Sequence, residues 1–229
     1  MTFWEHLDEL RGVIVRCVAV TLVLMVVAFV FRDEVFWLVL HPKGEGVCLI
    51  NTAVAGQFVT HMTVSFYVGL LGAMPYILYQ LFHFVAPGLY QQERRLAFWL
   101  VVSGYLMFML GVLFSYAIIF PFTLDFLSNY QVCSEVQNLI SLESYIDTLL
   151  MLSLLLGVVF ELPVFSWLLG RFGLLTADVM RRLRRPAIVA IVIVTAIITP
   201  TGDAFTLMLV SLPVYLLYEV SIFVVRRTK

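Results

Sequence analysis

Apolar residues in this chain come in long runs rather than in strand-like alternation. The runs cover residues 12–31, 62–81, 96–120, 149–169, 187–199 and 205–225. A helix of about 20 residues spans a hydrocarbon core of about 30 Å. The pattern therefore predicts an all-α polytopic membrane protein with six transmembrane helices, formed as one integral membrane domain over residues 1–229. The fifth run is short and reaches only about 20 Å. Two remedies fit it. The preceding "DVMRRLRR" extends the helix with its arginine heads snorkelling outward, or the bilayer thins.

The polar interruptions predict smaller features. "MTFWEHLDELRG" places Phe3, Trp4, Leu7 and Leu10 near one helical face, with Glu5, Asp8, Glu9 and Arg11 elsewhere. It reads as a short amphipathic helix on the membrane surface, and its early acidic residues do not suit a secretory signal. "DEVFWLVLHP" reads as a short interfacial helix ended by Pro42. Ser141 or Ser144 is placed to cap the fourth span, and "PTGDA" forms a tight turn between the last two. Pro75, Pro163 and Pro213 fall inside spans, while Pro121 and Pro200 close others. Each removes a backbone bond and bends its axis, so kinked helices and a concave bundle are expected.

Composition sharpens the membrane assignment. The chain is 62% hydrophobic and 13% charged, more apolar than a soluble domain can bury. The fourteen Lys and Arg fix an orientation. Arg11, Arg16, Arg94, Arg95, Arg171, Arg181, Arg182, Arg184, Arg185, Arg226, Arg227 and Lys229 fall on one side of a six-span topology. Only Arg32 and Lys43 fall on the other. Both termini and the loops around 82–95 and 170–186 are expected in the cytoplasm.

The candidate chemistry is mostly negative. His6, His41, His61 and His83 are scattered, so no metal site is expected. No phosphate-binding glycine loop or intramembrane nucleophile appears, so no cofactor, nucleic acid or catalysis is expected. Cys48 and Cys133 fall in outer loops on one side and form a possible disulfide. Glu9 and Glu93 are acidic residues beside arginines such as Arg11 and Arg94. They either pair locally or bind a cationic peptide, because carboxylates match guanidinium groups bidentately. Glu219 lies about two turns from the end of its span. Glu161, in "GVVFELPVF", has no such escape. A carboxylate near mid-membrane costs roughly 3 kcal/mol on insertion scales.

Seven blocks, in order, resemble the C subunit family of the twin-arginine protein translocase (TatC). They are "EHLDELR", "PYILYQLFHFVAPGLYQQERR", "GVLFSYAIIFPFTLDFL", "GVVFELP", "RRPAIV", "ITPTGD" and "LPVYLLYE". The resemblance runs from about Phe3 to Val225. It implies a core receptor that exports folded proteins carrying twin-arginine signal peptides, driven by the proton motive force. It places signal recognition at Glu9 and Glu93, with Arg11 and Arg94 beside them. It also implies single-span TatA- and TatB-type partner subunits in an oligomeric complex. Glu161, Thr199, Asp203 and Glu219 become candidate intramembrane polar or partner contacts. Two positions depart from the family pattern: Leu207 stands where a polar residue is common, and Gly202 where proline is frequent. For Glu161 three roles stay open: a packing residue bonded to a neighbouring helix, a polar anchor for a partner's helix, or a proton relay. A small-molecule secondary transporter is the alternative of another class, since kinked helices and a midplane carboxylate fit it too.

Overall fold

The computed structural model describes residues 3–43, 47–85, 94–131, 133, 138–199 and 203–227. Five helical stretches are long and apolar enough to cross a membrane: Leu7–Val30, Gly56–Phe84, Phe98–Asn129, Leu142–Arg171 and Ala204–Arg226. The expected all-α polytopic fold is the fold observed. The remaining apolar run forms a helix of 15 residues, Arg184–Ile198, about 22 Å long at the α-helical rise. By contact, the chain divides into two units. One holds Met1–His41 and Ala53–Leu106, the other Pro42–Thr52 and Met107–Lys229.

In the first unit, α1 (Phe3–Val30) packs along α3 (Gly56–Val85), with α2 (Arg32–Leu40) between them in sequence. The expected surface helix is not a separate element, because α1 runs unbroken through Gly12. One interior glycine weakens a helix by only about 1 kcal/mol. The Arg16 Nε also donates to the Gly12 carbonyl at 3.1 Å. Helix α2 ends at Leu40, where a 3₁₀ turn, His41–Lys43, carries Pro42, as the sequence predicts.

The α1–α3 contact depends on small residues. A Cβ on Gly69 would lie 2.6 Å from the Met25 backbone nitrogen and 2.9 Å from the Thr21 carbonyl oxygen. Backbones approach this closely in membranes only where a side chain is missing. The Thr21 hydroxyl, itself buried, donates to the Cys17 carbonyl and so brings no unpaired polar atom into the contact. The opposite face of α1 exposes Val15, Val18, Val23 and Val26, as a lipid-facing surface should. Gly69→Val is expected to destabilise the protein by about 1–3 kcal/mol or more through overpacking. Thermal unfolding in detergent would read this, and an unchanged midpoint would mean that the two helices are not held by this contact.

The second unit opens with a feature the sequence did not reveal. Strand β1 (Leu49–Ile50) pairs in parallel with β2 (Ile140–Ser141), with Leu49 opposite Ile140. Cys48 precedes β1, and the thiols of Cys48 and Cys133 are both free and exposed, so the possible disulfide is not present in this structure.

Helix α4 (Arg94–Phe114) passes into a π-helical segment, Ser115–Ile119, and then α5 (Phe120–Asn129). The cause lies in Pro121, which has no amide hydrogen and whose ring would crowd the carbonyl four residues back. That carbonyl belongs to Ala117, inside the widened turn. Helix α6 (Leu142–Phe160) starts at Ser141, whose hydroxyl accepts from the Ser144 amide at 3.2 Å. It meets α4 closely. A Cβ on Gly111 would strike the Leu156 carbonyl oxygen at 2.5 Å, and one on Gly157 the Phe108 ring at 2.8 Å.

Beyond α6 come α7 (Leu162–Arg171), α8 (Ala177–Arg182), α9 (Arg184–Ile198) and α10 (Ala204–Arg226). Gly173, at φ 72°, ends α7 in the left-handed region open to glycine. The "DVMRRLRR" stretch does not extend the short span as one helix. Leu183, at φ −86° and ψ 7°, separates α8 from α9. Pro75 and Pro213 stay inside continuous helices, whereas Pro163 and Pro121 coincide with breaks or widened turns.

Candidate functional site

In the second unit, the polar groups singled out from the sequence fall in three places. The first is Glu161. Pro163 cannot donate to the Val159 carbonyl and its ring crowds it, so α6 ends at Glu161 and α7 begins just after. The Glu161 amide donates to the Val158 carbonyl, and its own carbonyl accepts from Phe165. Its backbone is thereby satisfied across the break. Its side chain is not. Glu161 is 3% exposed, and neither carboxyl oxygen has a hydrogen-bond partner among the described residues. The reading of a packing residue bonded to a neighbouring helix therefore has no bond to rest on among these residues. An unpartnered buried carboxyl is unfavourable, since a buried polar group without a hydrogen bond costs about 1–3 kcal/mol and a charged one more.

The second place is the junction of α9 and α10. Thr199 is buried, and its hydroxyl donates to the Thr195 carbonyl at 2.8 Å. Asp203 caps α10 by accepting from the Thr206 amide at 2.6 Å. Both residues thus have local structural work, ending one helix and starting the next. The Thr206 hydroxyl next to this cap is buried and unpartnered among the described residues. Gly202 lies outside the described residues.

The third is the arginine-rich end of the second unit. Glu219 accepts from Arg184 at 2.6 Å and from the Tyr215 hydroxyl at 3.0 Å. The Tyr218 hydroxyl donates to the Met180 carbonyl at 2.8 Å. These bonds tie α8 and α9 to α10. Arg184 and Tyr215 were not singled out from the sequence as partners of Glu219. The signal was available, because Arg184 and Glu219 lie almost equidistant in sequence from the junction between α9 and α10, so two helices packed side by side bring them together. The carboxylate of Glu219, unlike that of Glu161, is already occupied.

Glu9 and Glu93, the acidic residues expected to meet a signal peptide, belong to the first unit. Glu9 is half-buried and Arg11 exposed, two positions apart on α1. Glu9 has no hydrogen bond or ion pair with a described residue. Glu93 lies outside the described residues, as does the side chain of Arg94, whose backbone opens α4.

Comparison with known proteins agrees with this arrangement over nearly its full length. The family model for the Sec-independent protein translocase protein (TatC) matches residues 5–213. The TatC of Deinococcus radiodurans is 34% identical over 227 residues, covering 96% of this chain and 83% of that protein. The TatC of Escherichia coli K12 is 34% identical over 222 residues, covering 95% and 85%. A chloroplastic TATC of Arabidopsis thaliana is 36% identical over 219 residues, covering 95% and 64%. A crystal structure of the twin-arginine translocase receptor TatC superposes with a TM-score of 0.86 at 32% identity, covering 97% of this chain and 99% of the other. A multi-pass helical chain that matches family members in sequence and in fold from end to end belongs to the TatC family of Sec-independent protein translocase proteins.

Proposed function

We propose that this chain is the receptor subunit of a twin-arginine translocase, lying in the cytoplasmic membrane with both termini inside the cell. It binds the paired arginines of signal peptides through Glu9 and Glu93 and holds single-span TatA- and TatB-type subunits for export of folded proteins, driven by the proton motive force. The observation that carries this reading is the match to the translocase family over residues 5–213. Charge supports the orientation, since twelve of the fourteen basic residues would face the cytoplasm. The carboxylate of Glu9, without an ion pair among the described residues, supports the recognition face, because guanidinium is the cation best shaped for bidentate pairing with a carboxylate.

Glu161 completes the proposal. Its unpartnered carboxyl oxygens leave it able to bond a polar group carried by a partner's transmembrane helix. That bond would relieve the burial penalty only in the assembled complex. Thr199 and Asp203 make local bonds at the end of α9 and the start of α10.

Site-directed photo-crosslinking tests the recognition face. A probe at position 92, next to Glu93, should trap a twin-arginine signal peptide, and a probe at exposed Trp37 on α2 should not. Equal trapping at both positions, or trapping only at Trp37, would contradict the proposed face.

A further inference from the structure

Outside the residues used above, the arginine-rich end of the second unit contains a cleft of about 470 Å³, large enough for a small ligand. Arg181 from α8 and Arg226 from the end of α10 line it, with Thr176 and Asp178 alongside. The inner wall is apolar: Met180, Ile222 and Val225 are buried together, with Leu175, Ala177 and Tyr218 packed on them. From this cleft we infer a binding site for the headgroup of an anionic phospholipid, with Arg181 and Arg226 on its phosphate.

Three observations favour this ligand. The first is charge. Arg226 has no ion pair among the described residues, and Arg181 has only a loose one, 3.7 Å from an Asp178 side chain that is 83% exposed. Both guanidinium groups remain available to a phosphate, while a twin-arginine peptide would be repelled. The second is depth. Arg171 lies over the Trp167 ring at 5.5 Å, and Arg227 over Phe223 at 4.4 Å. Such stacked pairs, with the ring in the apolar region and the cation in water, mark the headgroup level of a bilayer. The third is the rim. Leu174 is 76% exposed and Val179 46%, next to the cleft. Apolar residues beside arginines suit acyl chains leading away from a phosphate, and basic pockets between transmembrane helices bind acidic headgroups in this way. A soluble phosphate compound would have no use for this rim.

The bonds at the back of the cleft bear on how it is held. Tyr218 fastens to the Met180 carbonyl, and Arg184 to Glu219, so α8 cannot swing freely away from α10. The two arginines that would meet the phosphate are thus carried on elements tied to one another.

Native mass spectrometry of the full chain, released from detergent with phosphatidylglycerol or phosphatidylcholine, tests this. Phosphatidylglycerol should be retained and phosphatidylcholine lost. Arg181→Gln combined with Arg226→Gln should weaken phosphatidylglycerol binding about thirtyfold, taking roughly 1 kcal/mol for each arginine near an anionic lipid surface. Arg32→Gln, at an exposed position in the other unit, should leave it unchanged. Asp178→Asn should strengthen it, by removing the carboxylate that competes for Arg181. A merely structural role for Asp178 would not produce that gain. Equal retention of the two lipids, wild-type binding by the double variant, or displacement of the lipid by stoichiometric inorganic phosphate would overturn the proposal.

Discussion

Glu161→Ala should reduce export of a twin-arginine reporter to background while leaving the protein inserted and able to bind signal peptide. The two functions separate because they rest on different parts of the chain. Recognition is assigned to acidic residues of the first unit, and Glu161 lies in the second, at the break between α6 and α7. Removing the carboxyl does not weaken the fold in isolation, because neither oxygen bonds to a described residue. Deleting an unsatisfied buried polar group removes its desolvation penalty, which offsets the cost of the cavity left by alanine, so the variant should melt close to wild type. On the proposed reading, what it loses is a bond made only to a partner. Crosslinking between positions near residue 161 and a single-span subunit should fall along with export.

Glu161→Gln refines this. The amide keeps hydrogen-bonding capacity and lacks a titratable proton. On the partner-anchor reading it should retain much of the export activity. If the glutamine variant is as inactive as the alanine variant at equal expression, the proton-relay role takes over. If the alanine variant exports normally, neither role holds.

Much of the fold was legible in the sequence because bilayer thickness is an external ruler. Runs of apolar residues had to become helices, since a spanning segment must satisfy its own backbone. Pro42 after α2, Ser141 before α6 and the short fifth run all read correctly, because each depends on a neighbouring residue or on a length. What failed depended on distant pairing. The β1–β2 ladder joins residues about ninety positions apart and involves only two pairs, too few for a pattern to show. The break at Leu183 was invisible because arginine-rich helices have good propensity throughout, and both α8 and α9 pack on α10, a contact between distant parts of the chain.

The candidate site divides along the same line. Glu161 stood out because a carboxylate inside an apolar run is costly wherever the run packs. That its oxygens lack partners required the three-dimensional structure. Glu219, nearer the end of its span, was ambiguous in the sequence, and the structure gives it Arg184 and Tyr215. The close approaches at Gly69 and Gly111 left no mark in the sequence, since each depends on the backbone of another helix.

The other large effect concerns recognition. Glu93→Ala should weaken binding of a twin-arginine signal peptide about tenfold or more, because a hydrogen bond to a charged group contributes about 1.5–3 kcal/mol. Adding Glu9→Ala should weaken it further. Both losses should shrink as salt is raised, since a surface pair is screened over about 10 Å at 0.1 M ionic strength. The measurement that tests this most directly is the affinity of the purified chain, by calorimetry, for matched signal peptides with Arg-Arg or Lys-Lys. Receptor function through bidentate carboxylate pairing predicts markedly tighter binding of Arg-Arg, and loss of that preference in Glu93→Ala. Equal affinity for the two peptides, or a preference that survives removal of both carboxylates, would contradict it.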